Sequence, residues 1–133
     1  MDTTDFDRQL GDLVWMLITG MRAGYTLQEV FEWLSNDSPD PIASACKDLT
    51  ADLQAGLTFE AAFAKIKKKI PSPYLAQVIA ALQAHQQVSG DPFPFLEPVC
   101  TEILEKVGSD KAFSEAMRRL ATAVGAQLPD WIA

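Results

Sequence analysis

What most limits how this chain can fold is an eleven-residue pattern that it uses twice. Met21-Arg22-Ala23-Gly24-Tyr25-Thr26-Leu27-Gln28-Glu29-Val30-Phe31 recurs thirty-two positions on (Gly56 after Gly24) as Leu53-Gln54-Ala55-Gly56-Leu57-Thr58-Phe59-Glu60-Ala61-Ala62-Phe63. Ala23/Ala55, Gly24/Gly56, Thr26/Thr58 and Phe31/Phe63 are identical pairs, and Met21/Leu53 and Leu27/Phe59 are apolar pairs. Each copy reads as one helix ending, a sharp corner, and a second helix starting. Helices commonly stop at a residue in the left-handed conformation, which glycine adopts without steric cost. The apolar residue that follows, Tyr25 or Leu57, can fold back on the last turn. The threonine hydroxyl then caps the next helix, and Glu29 completes a capping box after Thr26. Ala61 stands at the matching position after Thr58, so the second cap is the weaker one. One such corner is ordinary; two with matching flanks imply a repeated helix-corner-helix unit.

Apolar residues elsewhere recur at helical spacing. The spacing predicts helix one over about Phe6–Ala23, with Asp5 as a candidate cap after a frayed Asp2–Asp7. Trp15 and Met16 widen its apolar face, which points to a central position in a bundle. Helix two is short, about Leu27–Ser35. Helix three is expected to be capped by Asp40, with Pro41 at its first position and Ile42, Cys46, Leu49 and Leu53 inside. Helix four runs Phe59–Lys69. Helix five is capped by Ser72, opens at Pro73, reaches about Val88 and buries Leu75, Val78, Ile79 and Leu82. Pro92, Pro94 and Pro98 crowd the next start, so helix six is expected to begin as late as Glu97 or to bend there. Its inner face is Phe95, Leu96, Val99, Cys100 and Ile103. Gly108-Ser109-Asp110 is a stop and cap before a seventh segment with Phe113, Met117, Leu120 and Val124, and Gln127–Ala133 forms a turn or loose tail. No stretch alternates with period two. The expectation is an all-α fold, a six-to-seven-helix antiparallel bundle in a single domain over 1–133.

Composition narrows function. A net charge of −7 over 133 residues argues against nucleic acid, which is bound mainly by phosphate neutralisation. Cys46 and Cys100 lie on apolar stripes and read as reduced core thiols rather than a disulfide or metal pair. The N-terminus is acidic without an apolar signal region, and the longest apolar run, Leu13–Ile18, falls far short of the roughly 20 residues that span a bilayer. The only histidine, His85, sits at the edge of the helix-five stripe and reads as structural. There is no metal-ligand spacing and no phosphate loop, so the chain is read as non-catalytic, with no cofactor and no metal. One basic cluster stands out: Lys65, Lys67, Lys68 and Lys69. A solvated helix end explains it, since lysines favour a helix C-terminus; the functional reading is contact with anionic headgroups or an acidic protein partner. Trp33 and Trp131 read equally as burial or contact.

The order and spacing of these motifs resemble the cytoplasmic domain of the type II secretion system F family, the inner-membrane platform proteins of type II secretion, type IV pilus and Tad pilus machines. Arg22-Ala23-Gly24-Tyr25-Thr26-Leu27 is similar to the family's first corner. Gln54–Ala62 is similar to its second corner, and Ser89-Gly90-Asp91 to the break before its last helix. The resemblance covers about Phe6–Val107, leaving 108–133 as an extra helix and tail. Gln86 and Gln87 stand where the family often has glutamate, and the three prolines are unusual there. The family's flanking transmembrane helices are outside this stretch, which fits either an excised domain or a stand-alone relative. The resemblance implies a scaffold at the cytoplasmic face of the inner membrane that binds the assembly ATPase and other platform subunits. It also implies self-association, for example as a homodimer, with peripheral membrane contact by the lysines and partner contact by the outer face of helix one. The alternative is a stand-alone helical adaptor that binds another protein, with Phe93, Phe95 and Trp131 lining a groove.

Overall fold

A computed structural model describes residues 2–123. They form seven helices and, among the described residues, no strand: α1 (Thr4–Arg22), α2 (Leu27–Asp37), α3 (Ile42–Gln54), α4 (Phe59–Lys69), α5 (Pro73–Val88), α6 (Phe93–Lys106) and α7 (Lys111–Ala123). Val124, the Gln127–Ala133 tail and Trp131 lie outside the described residues.

The two corners have nearly the same backbone. Ala23 and Ala55 both sit at φ −77°, ψ −2°, and Gly24 and Gly56 follow at φ +99° and +98°. At the first corner the Tyr25 N–H donates to Gly20 O and the Gly24 N–H to Met21 O, both at 3.1 Å. At the second, Leu57 donates to Asp52 O (3.0 Å) and Gly56 to Leu53 O (3.1 Å). Each corner is therefore a complete Schellman motif, which satisfies carbonyls the helix end would leave open. Glu29 N–H then donates to the Thr26 hydroxyl (3.1 Å), while Thr26 N–H donates to the Glu29 carboxylate (2.9 Å). Thr58 accepts from Ala61 N–H (3.1 Å) without a reciprocal partner. The repeated phenylalanines meet: the Phe31 and Phe63 rings lie edge-to-face, 6.4 Å apart, and Phe59 adds a contact to Phe63 at 5.7 Å.

Around this doubled unit, α1 is the axis. It packs against α2, α3, α5, α6 and α7, and every residue from Gln9 to Gly20 is buried. The outer face of helix one expected as a partner contact is therefore absent over that length; five neighbours cover it. Two glycines let those neighbours close in. A methyl at Gly11 would lie 2.8 Å from Leu104 of α6, and one at Gly20 would lie 2.6 Å from Val30 of α2. Helix α6 returns antiparallel to α1, with the Cys100 thiol donating to Gly11 O (3.3 Å) and Arg22 reaching Asp91 at the far end. The chain then reverses at Gly108 (φ +90°). Helix α7 consequently runs parallel to α1, with Asp110 N–H on Arg8 O (3.1 Å) and Ser114 on Asp12.

Several boundaries differ from the sequence expectation, each for a local reason. Helix α1 opens at Thr4, not Phe6, because Asp2 rather than Asp5 accepts the Thr4 N–H (2.9 Å). Nor is Asp7 frayed: it is buried and takes the Ser72 hydroxyl. Helix α3 opens at Ile42 and leaves Pro41 outside, because the Gln9 side chain accepts the Ile42 N–H (3.1 Å). Asp40 instead accepts the Ser44 N–H (3.0 Å). Helix α6 opens at Phe93 and carries Pro98 within it. Pro92 and Pro94 fall where helical N–H groups have no partner anyway, and Pro98 orphans only the carbonyl of Pro94, an exposed residue that water can serve. Phe95 and Val99 are half-buried rather than inside.

Candidate functional site

The basic cluster is built by α4 against α3. The two helices run antiparallel on either side of the Gly56 corner, so residues one turn apart on one face residues one turn apart on the other. Lys65 Nζ sits 2.9 Å from Asp52 Oδ1, and Lys69 pairs with Asp48. The lysine side chains stay 63% and 64% exposed, so these pairs contribute little to stability, on the order of 0–1 kcal/mol each. Lys67 and Lys68 have no ion pair among the described residues, and both are exposed. Together Lys65, Lys68 and Lys69 form one wall of an open groove of about 610 Å³. Asp48, Ala51 and Asp52 of α3 form the other wall, and the buried Leu49 and Ile66 complete the lining. The structure thus gathers three of the four lysines at one concave feature.

The Gly90 break lies at the end of the bundle where α1 stops. Arg22 holds Asp91 with two hydrogen bonds (2.9 and 2.8 Å) and lies over the Phe93 ring, 4.6 Å from its centroid. The Arg22 bonds, helped by the Phe93 N–H, pull the Asp91 carboxyl down to about 2. Pro94 has no N–H to give the Gly90 carbonyl, and His85 Nε2 meets that carbonyl instead at 2.9 Å. The His85 ring also stands edge-on to Phe95. Phe93 and Phe95 are therefore half-buried, with Arg22 and His85 as intramolecular partners, and Trp131, the third residue of the expected groove, lies outside the described residues. Ser89, at φ 61° and ψ −166°, holds a backbone region that is otherwise glycine's.

The buried titratable groups are structural in setting. Cys46 and Cys100 are buried free thiols, each pushed up to about 12 by burial, so both stay protonated at neutral pH. The core holds a void of about 30 Å³ lined wholly by apolar side chains, among them Leu10, Phe31 and Cys46. Sequence reading missed three residues that interrupt the apolar run of α1: Asp7, Gln9 and Asp12. All three are buried and tie α1 to the start of another helix. Asp7 accepts the hydroxyl of Ser72, the α5 cap. Gln9 serves α3, and its amide also donates to Asp110 Oδ2 (3.3 Å). Asp12 accepts the Ser114 hydroxyl of α7, and burial raises its carboxyl above the usual range despite that bond. Their only signal in the sequence was polarity at core positions.

Fold and surface define an all-α bundle built on a doubled helix-corner-helix unit. The family model for the type II secretion system (T2SS), protein F, matches residues 16–91, more than half of the chain, and the chain belongs to that family. The match takes in both corners and ends at Asp91, leaving α6 and α7 beyond it. No curated protein and no solved structure matches the chain. The domain is of secretion or pilus platform type, a structural family that works through protein–protein assembly. No helix among the described residues is long and apolar enough to cross a membrane.

Proposed function

We propose that this chain is a non-catalytic scaffold module of a secretion or pilus platform. It works at the cytoplasmic face of the inner membrane and holds the assembly ATPase and other platform subunits. Family membership over the two-corner unit carries this reading. The burial of α1 supports it, since a rod covered from Gln9 to Gly20 fixes the relative positions of the outer helices and lets them serve as rigid contact surfaces. The surface assigned to contact is the α3–α4 face with Lys65, Lys67, Lys68 and Lys69, not α1. The test is site-directed crosslinking from exposed α3, α4 and α5 positions in cells that carry the cognate ATPase and platform. The expected result is specific adducts with these subunits or with a second copy. Absence of any adduct, self-adducts included, would overturn the proposal.

A further inference from the structure

The α3–α4 groove has a chemistry that specifies its occupant. Five lysines and three carboxylates fall between Ile42 and Ile70, in a chain whose net charge is −7. This positive stretch is therefore set against an otherwise acidic protein. Within the groove the cations are spaced by helical turns, Lys65 to Lys68 and Lys69, about 5–6 Å apart at their Cβ atoms. Carboxylates at i and i+4 on a partner helix have the same spacing. Two of the lysines are already paired with carboxylates of this chain, Asp52 and Asp48. Those pairs are exposed and weak, so they exchange at little cost.

We infer that this groove receives an acidic amphipathic helix from a protein partner, whose carboxylates replace Asp48 and Asp52 on Lys69 and Lys65 and engage the unpaired Lys68. The exposed Ala51 methyl and the aliphatic stems of Lys65, Lys68 and Lys69 give the apolar side of that helix its contact, above the buried Leu49 and Ile66. A flat anionic bilayer fits less well, because it cannot enter a concave feature and would meet Asp48 and Asp52, whose side chains are 44% and 21% exposed. The inference rests on the scaffold reading and deepens it by naming the partner's chemistry.

The test titrates the 133-residue protein with a synthetic helical peptide carrying glutamates at i, i+4 and leucines on the adjoining face, read by amide chemical shifts. Shifts confined to α3 and α4 are expected, with affinity falling at least tenfold between 50 and 500 mM salt. Lys65→Glu/Lys68→Glu/Lys69→Glu should weaken binding at least tenfold while the protein stays folded by circular dichroism, with a melting temperature a few degrees lower from like charges beside Asp48 and Asp52 at a helix C-terminus. Asp48→Asn/Asp52→Asn, which removes the internal competitors, should tighten it several-fold. No binding, shifts elsewhere, or looser binding by the asparagine variant overturns the inference. So does binding to phosphatidylglycerol vesicles in place of the peptide, which would make the surface a membrane contact. Platform crosslinks that persist in the triple-glutamate variant would sink the groove and leave the scaffold role standing. Crosslinks missing from the wild type would sink the scaffold role whatever the peptide does.

Discussion

Gln9 does the most with one side chain. It accepts the Ile42 N–H, donates to Asp40 O (2.9 Å) and reaches Asp110, at 3% exposure. Removing it strands the buried Ile42 N–H, which costs more than the net worth of the bond, while the Asp40 carbonyl, on an exposed residue, can turn to water. Gln9→Ala is expected to lower stability by about 1–3 kcal/mol, seen as a lower urea midpoint with an unchanged slope. Asp12 behaves differently with pH. Burial raises its carboxyl, so the folded state binds that proton more tightly than the unfolded chain does. Its contribution is full below the unfolded value of about 3.9 and is lost as pH rises through the folded value. Asp12→Asn keeps an acceptor for Ser114 and has no proton to lose. The wild type should therefore lose melting temperature relative to the variant as pH is raised from 4 to 7; parallel profiles would show that Asp12 does not titrate differently on folding. Asp91 has the opposite sign, with support lost as pH falls from about 4 toward its value of about 2. This layer was not legible in the sequence. Polar residues at apolar positions were visible, but their partners lie 31 to 102 positions away.

At the scale of elements the twin corners allow an internal comparison. Both glycines hold φ near +99° with nothing within 4 Å of an added methyl, so Gly24→Ala and Gly56→Ala should cost about the same, roughly 1 kcal/mol or a little more, through backbone strain alone. The caps should not match. Thr26→Ala loses a hydroxyl cap and leaves Glu29 unreciprocated, whereas Thr58→Ala loses the single bond to Ala61. Each should cost about 1 kcal/mol, with Thr26 the costlier. Paired thermal melts of the two alanine variants check this, and an equal or reversed order would show that the box adds nothing. The corners were legible because glycine, apolar residue and threonine each answer a separate geometric demand at adjacent positions. The sequence allowed α6 to begin as late as Glu97 or to bend there, and the helix begins at Phe93 with Pro98 inside it; a proline's cost depends on whether the carbonyl it orphans faces water, and exposure is a property of the folded molecule.

Over the whole molecule, the class of fold was legible because helical periodicity runs from end to end. Which helix becomes the axis was only hinted at by the width of the α1 apolar face, and the parallel course of α7 had no local signature. An axis covered on all sides exposes its backbone only when its neighbours leave. Amides from Gln9 to Gly20 are expected to exchange with deuterium only through global unfolding, and the last turn of α4 much faster; early exchange within α1 would contradict that burial. The contacts that cover α1 also impose an order on biosynthesis. Gly11 closes against Cys100 and Leu104, some ninety residues downstream. At a translation rate of about 5–20 residues per second, the first helix leaves the ribosome several seconds before α6 exists to shield it. During that interval a greasy rod is available to chaperones, or to another nascent chain of the same kind.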